Sequence, residues 1–432
     1  MVDKSGNRII PEGHEVVQVV SRFDIIGEKP NDFNTAVNEI NLENTLNVES
    51  LSPMLDTSVD TKVILPSTGI YLQEGVFIDA TVDITNLENV IYIGNKCFYN
   101  TKFKNPDISL KKLESLGIYS FSQSNIKTLY IDMPSVTAYS FTDCTELSSV
   151  ELGDNVTTLG SNLFANDYNL KTINYNNVTQ VDNCCFQNCK SLTTSLNDTK
   201  SAVIGAQAYE NCISMTGDLV MPENVKELNW REFANTKINS VKLNNIQAIG
   251  GQVFADNENL SSIDFGKVTS LGWQAFGNCK KLTSLYLTES VQKIDVQTFI
   301  NCSLSTVDLN KVSVLEYEAF VDNNIEEVIL PRSIEKIGYG IFDNNPLKTI
   351  TVCYDTCKKD ISMLGNVAGN RANNVENVEF VAPYVDDGGS EDEVTESTQK
   401  HSKFTTELVS NPSVIFKVQR PTQNYEDYTI KV

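Results

Sequence analysis

The chain has 432 residues, 41% of them hydrophobic, and a formal charge of −22. That apolar content suffices for a packed core and argues against wholesale disorder, while the acidity argues against nucleic acid and anionic lipid as partners, since both need a clustered Lys/Arg surface. Only two histidines exist, His14 and His401, both in the terminal segments, so composition excludes a His-based metal site or catalytic triad within the body.

Residues 1–60 read as a non-repeat segment. The start, MVDKSGNRIIPEGHEVVQVV, holds no continuous apolar stretch of signal-peptide length. The expected location is therefore a virion or the cytoplasm of the producing cell, with the cell surface reached only by another export route. Nowhere do about 18 apolar residues run together, so no membrane insertion is expected. VVQVVSRFDIIG reads as one strand, followed by a polar, Asn/Glu-rich stretch to Met54. Residues 61–82 read as degenerate strands at the edge of a repeat region.

One aromatic recurs through most of the chain: Phe98, Phe121, Phe141, Phe164, Phe186, Tyr209, Phe233, Phe254, Phe276, Phe299, Phe320 and Phe342, at spacings of 20 to 24 residues. Five residues before it stands an aliphatic in every copy, from Ile93 to Ile337. Two after it stands Asn or Asp in eleven of twelve copies, Gln123 being the departure, and backbone bonding at a turn is the expected role of that row. Gly often follows the aliphatic, as at Gly94, Gly160, Gly250, Gly272 and Gly338, where a tight turn would account for it. An L-x-x-V-x-L run comes next, as in Leu147/Val150/Leu152 and Leu282/Leu285/Leu287, with the period of a strand buried on one face. A unit this short cannot bury its apolar side alone; stacked, each copy covers its neighbour. The expected fold class is a β-rich repeat solenoid, a leucine-rich repeat stack of about twelve units with non-repeat ends.

Val268–Leu287 reads VTSLGWQAFGNCKKLTSLYL, and Ile334–Val352 reads IEKIGYGIFDNNPLKTITV. Both resemble the unit of the BspA-like, surface-antigen type of leucine-rich repeat, V-x-x-I-G-x-x-A-F-x-N-C-x-x-L-x-x-I-x-L-P, and the resemblance covers about residues 80–352. It implies a curved solenoid with a strand-lined face and a role in surface recognition. The solenoid with its caps is expected over residues 61–385. The copy around Phe186 departs, since SLTTSLNDTK lacks the apolar strand, and a local distortion or bulge is expected there.

Cys144, Cys189, Cys212, Cys279 and Cys302 all stand three residues after the aromatic. As bridges or metal ligands they would need a maintained partner. As packing residues they need only be small, and the copies that carry Thr, Ser, Asp or Asn instead favour reduced, buried thiols. Cys184/Cys185/Cys189 and Cys353/Cys357 form clusters without a histidine, so zinc is not expected.

Each strand offers two outward rows. One is nearly all hydroxyl (Thr128, Ser149, Thr172, Ser240, Ser262, Ser284, Thr306 and Thr349, with Glu327 the exception), read as a cross-strand ladder. The other varies: Tyr130, Glu151, Asn174, Lys242, Asp264, Tyr286 and Asp308, continued by Ile329 and Thr351. A variable row on a constant scaffold is the candidate recognition surface, with Tyr130 and Tyr286 as its anchors; a plain solvated sheet face is the competing reading.

Beyond the repeats, DTCKKDISMLGNVAG reads as a short helix and VENVEFVAPY as a last strand. Residues 386–402 form an acidic linker. Residues 403–432 alternate like strands but are too few for their own core, and are expected to be a β-rich attachment tail. No G-x-x-x-x-G-K-[ST], G-x-S-x-G or H-E-x-x-H pattern occurs, so no catalytic, cofactor-binding or metal residue is assigned and no cofactor is expected. The expected function is a non-catalytic protein-interaction or adhesion solenoid, a structural or host-recognition component of a larger assembly such as a phage virion. A bacterial cell-surface adhesin or a cytosolic interaction scaffold is the alternative. The expected partners are a protein or surface glycan on the repeats and an assembly partner at the terminal segments.

Overall fold

The L-x-x-V-x-L runs become short strands because alternate residues face opposite ways. In Thr128–Ile131, Leu129 and Ile131 turn inward while Thr128 and Tyr130 face out. The computed structural model describes residues 15–17, 39–43, 45–48, 61–67, 69–193, 200 and 203–353, with the strands Asn377–Val381, Ser413–Gln419 and Tyr425–Lys431. The chain divides into two units, Met1–Thr216 and Gly217–Val432. Each is a β-solenoid in which strands from successive copies pair parallel.

In the first unit, Asp107–Leu110, Thr128–Ile131, Ser149–Leu152 and Thr172–Ile173 form one sheet in chain order. Ser135–Val136, Thr158–Leu159, Gln180–Val181 and Val203–Ile204 form another. The parallel pairing runs through residue 61, the boundary expected from sequence. Glu15–Val17 pairs with Thr45–Val48, which pairs with Ile70–Leu72, and Glu39–Asn41 pairs with Thr61–Ile64. Two of these strands lie in the stretch read as polar; runs as short as EIN and TLNV are too brief for a period to stand out.

In the second unit, Glu227–Trp230, Ala248–Gly251, Ser270–Leu271, Lys293–Ile294, Val314–Leu315 and Lys336–Ile337 form one parallel sheet. The expected last strand is Asn377–Val381, parallel to Thr349–Cys353. Ser413–Gln419 and Tyr425–Lys431 form an antiparallel pair. Among the described residues there is no α-helix, and no helix long and apolar enough to cross a membrane. The helix expected in DTCKKDISMLGNVAG, residues 194–199 of SLTTSLNDTK, where a distortion or bulge was expected, and the acidic linker lie outside the described residues.

All twelve recurring aromatics are fully buried. In the first unit their rings form a ladder from Phe98 to Tyr209 with centroids 4.8–5.8 Å apart. In the second the ladder runs from Phe233 to Phe342 at 5.3–5.6 Å. Phe77, not recognised in the sequence, adds a rung 5.0 Å from Phe98. Near-parallel rings at this spacing add stacking to the burial of their apolar area.

The aromatic sits at the centre of a tight double turn. The residues two before and two after it have positive φ in every copy, from Lys96 and Asn100 (51° and 52°) to Gly340 and Asn344 (66° and 60°). Asn and Asp tolerate this left-handed region best among residues with a side chain, which accounts for the Asn/Asp row. Their side chains bond one another rather than the backbone expected from sequence: Asn166 Nδ2 donates to Asp143 Oδ1, Asn188 to Asn166 Oδ1 and Asn211 to Asn188 Oδ1, at 2.7–2.8 Å. The recurrent glycine also has another cause than the turn expected for it. Gly94 and Gly250 lack a positive φ, but a Cβ on Gly250 would stand 1.6 Å from the Asn229 carbonyl oxygen, and one on Gly94 2.5 Å from Glu74 N. Adjacent turns run too close there for any side chain.

Position three after the aromatic has one job done by three chemistries. Cys144, Cys189 and Cys212 donate from Sγ to the carbonyls of Phe121, Phe164 and Phe186, each the aromatic one copy back, at 3.1 Å. Thr101 donates to Phe77 O at 2.6 Å, and Asn257, Asn323 and Asn345 donate to Phe233 O, Phe299 O and Phe320 O at 2.8 Å. In these copies a small buried donor fills the position, as Cys, Thr or Asn; Thr236 donates instead to Phe233 O of its own copy, at 3.1 Å. The eight described cysteines are free thiols, and seven of them are buried. Burial pushes the thiols of Cys144, Cys189 and Cys212 above their ordinary value, away from the thiolate that a nucleophile or metal ligand requires.

Candidate interaction surface

Strand pairing decides which outward residues share a row. In the first unit Tyr130 stands opposite Glu151, and Thr128 opposite Ser149. In the second Lys242 stands opposite Asp264, Tyr286 opposite Asp308, and Ile329 opposite Thr351. The candidate recognition residues thus fall in two groups, Tyr130/Glu151/Asn174 in one unit and Lys242/Asp264/Tyr286/Asp308 in the other.

Within the first group Tyr130 is half-buried and Glu151 exposed. Partial desolvation, with the carboxylates of Asp132, Glu151 and Asp154 around it, holds the Tyr130 phenol above its ordinary value. Asn174 faces the strand edge. Its Oδ1 accepts from Leu152 N at 2.6 Å and its Nδ2 donates to Leu152 O at 3.0 Å, continuing the sheet where the backbone strand stops at Ile173. That amide serves the scaffold.

In the second group Lys242 is exposed, and Asp264 and Asp308 turn back onto their own chain, accepting from Gly266 N at 3.0 Å and Asn310 N at 2.9 Å. Tyr286 is 64% exposed and Ile329 67% exposed, the two most exposed large apolar side chains among the described residues. The hydroxyl row forms a ladder only locally: Thr172 Oγ1 donates to Ser149 Oγ at 3.2 Å, while Thr128 and Ser240 donate instead to the carboxylates of Asp107 and Asp218.

A third outward row was not read from the sequence. The residues three before the buried aromatic include Trp230, Trp273, Tyr317 and Tyr339, all exposed by 40–54%. The shared offset of the chain's two tryptophans was the signal available. Among the described residues no group of three or more His, Cys, Asp or Glu is placed to hold a metal ion.

The chain is similar to a leucine-rich repeat protein from Bacteroides ovatus (17% identity, TM-score 0.42, covering 60% of this chain and 71% of that one). It is also similar to a leucine-rich cell surface protein from Faecalibacterium prausnitzii (19% identity, TM-score 0.40, 67% and 87% covered) and to the pneumococcal vaccine antigen PcpA (13% identity, TM-score 0.36, 80% and 85% covered). No curated protein matches it. The BspA type leucine rich repeat region matches residues 72–193, 194–272 and 259–361, six copies in all. With that match spanning most of the chain, on repeats whose aromatics, aliphatics and close-approach glycines all serve the stack, the chain belongs to the BspA-type leucine-rich-repeat family.

Proposed function

We propose that the protein is a non-catalytic adhesion module that binds a partner at a cell surface through the strand face of its repeats. The observation that carries this reading is the exposure of Tyr286 and Ile329 on a row that varies while the rows around it do not. Large apolar side chains held in water on short, rigidly paired strands are the kind of anchor on which interfaces concentrate binding energy. Family membership supports the same reading, since it carries the surface-recognition role that the repeat resemblance implies. In a test by flow cytometry, beads coated with the Tyr286→Ser/Ile329→Ser double variant should adhere to cultured epithelial cells about tenfold less than beads with the parent chain, a change near 1.4 kcal/mol. Equal adhesion would leave the strand face a plain solvated sheet.

The C-terminal residues 403–432 serve attachment to a larger assembly, whether a cell-surface layer or a virion. Their two described strands pair antiparallel with each other, unlike the parallel strands of the repeats. Deleting residues 386–432 should leave the melting temperature of the repeats unchanged while the truncated chain no longer co-sediments with its native assembly. A collapse in melting temperature would make the tail a cap instead.

A further inference from the structure

We propose that the row Trp230, Gly251, Trp273, Val296, Tyr317 and Tyr339 binds a linear neutral glycan lying along the stack. Register places these residues side by side. Trp230 pairs with Gly251, and the carbonyls of Trp273, Val296, Tyr317 and Tyr339 each accept from the next turn back, from the N–H groups of Gln252, Gln274, Gln297 and Glu318 at 2.8–3.1 Å. The left-handed residue that follows each member turns the chain inward, which leaves the row on the outside. Trp230 and Trp273 are each 44% exposed and Tyr317 54%, so exposed aromatics stand on alternate turns of one row, a pattern of the kind that marks a binding surface.

Gly251 is what joins the two indoles. A Cβ there would lie 3.5 Å from Trp273 Cε3 and 3.6 Å from Trp230 Cδ1, so the rings converge over the one position in the row without a side chain. The result is an aromatic platform spanning three turns.

A polar column runs along one side of it. Arg231 donates to Gln252 Oε1 at 3.0 Å, Gln252 to Gln274 and Gln274 to Gln297 at 2.7 Å, and Gln297 to Glu318 at 2.7 Å. Each of the three glutamines uses one N–H and one lone pair in this chain and keeps one of each for a ligand. On the other side stand Asp295 and Glu316, already paired with Lys293 at 3.2 Å and Lys336 at 2.7 Å. Between the Arg231 guanidinium at one end of the column and the Glu318 carboxylate at the other, the rims therefore offer hydrogen bonds from neutral amides and carboxylates already paired with lysines.

A pyranose has an apolar C–H face and a rim of hydroxyls. An aromatic strip between amide rims fits both, with few polar groups fixing orientation on an apolar floor. Successive turns lie about 4.8 Å apart, close to the length of one sugar unit, so a linear chain can set successive rings on successive rungs. An extended peptide would gain no backbone pairing here, because the sheet's own strands already pair on both sides of Ala248–Gly251. The net charge of −22 disfavours an anionic polymer.

The chain's two tryptophans both lie in this site, so intrinsic emission reads it directly. The full chain would be titrated with cellohexaose, xylohexaose, mannohexaose and maltohexaose, following tryptophan emission. At least one should give a saturable blue shift. Calorimetry should then show binding of that saccharide weakened about tenfold or more by Trp273→Ala, and likewise by Gly251→Val, which puts a branched side chain where the indoles meet. Both variants should keep the parent's circular dichroism and melting temperature. Tyr286→Ser, on the strand face, should bind the saccharide as the parent does, which separates this site from the adhesion reading above. No response to any of the four hexasaccharides, or full binding by both the Trp273 and Gly251 variants, would overturn the proposal.

Discussion

Phe276→Ala should destabilise the second unit by roughly 3–5 kcal/mol, the usual range for deleting a fully buried Phe. The ring has no exposed surface. It lies 5.4 Å from Phe254 and 5.3 Å from Phe299, within 10° of parallel to both, with the edge of Phe265 at 5.9 Å. Truncation removes the transfer energy of the ring and two stacking contacts at once, and leaves a cavity between turns that backbone hydrogen bonds hold apart. The Phe276 N–H donates to Thr298 O at 2.9 Å, and Phe254 N–H to Ala275 O at 2.8 Å, so neither neighbouring turn can collapse into the gap without breaking the ladder. Stability in a repeat stack is close to a sum of nearest-neighbour terms, so the loss concentrates at the two interfaces that Phe276 joins. Urea unfolding of the variant beside the parent measures it; a difference under about 1 kcal/mol would mean the ring is not the core element that its burial indicates.

What could be read from the sequence was whatever the stack demands of side-chain chemistry. The aromatic, the aliphatic five residues before it and the strand leucines must all be apolar, and they repeat visibly. The left-handed residue two before the aromatic was not legible. Lys96, Tyr119, Cys184, Arg231, Gln252 and Glu318 share no chemistry, only a backbone conformation imposed by pairing with the turns on either side. That hidden turn also decides which way its neighbour points, so the Trp230–Tyr339 row could not be assigned as outward until the turn was seen, whereas the strand row containing Tyr286 could. The glycines repeated visibly but for another reason than expected, because close approach between turns leaves the same mark in a sequence as a tight turn does. Phe77 was missed although Leu72 stands five residues before it and Asp79 two after; what it lacks is the leucine six residues on, where Asp83 stands, and its ring stacks as the others do.

Asp167→Asn should stabilise the first unit at neutral pH by about 1–3 kcal/mol, the range for relieving a buried polar group left without a partner. Asp167 occupies the position where other copies carry Asn, Thr or Cys as a donor. In Asn323 and Asn345, Oδ1 accepts from Leu304 N and Ile325 N, while Nδ2 donates to aromatic carbonyls. Asp167 reproduces half of this: its Oδ1 accepts from Cys144 N at 2.7 Å, but its buried Oδ2 has no partner. Only a protonated Oδ2 could donate as those amides do. Burial raises the Asp167 carboxyl well above its ordinary value, and the Asp143 carboxylate pushes the same way against the Cys144 N–H. Because the folded value lies above the unfolded one of about 3.9, the folded chain holds a proton that the unfolded chain releases. Its stability is therefore fully present below that pH and is lost as pH rises toward the folded value. Asparagine does not titrate and should supply the same geometry at any pH. Melting temperatures of variant and parent should nearly coincide around pH 4 and separate progressively toward pH 8, the variant being higher. A gap of constant size across that range would show that Asp167 is ionised in the fold, and that the donor role shared by the other copies is absent from this one.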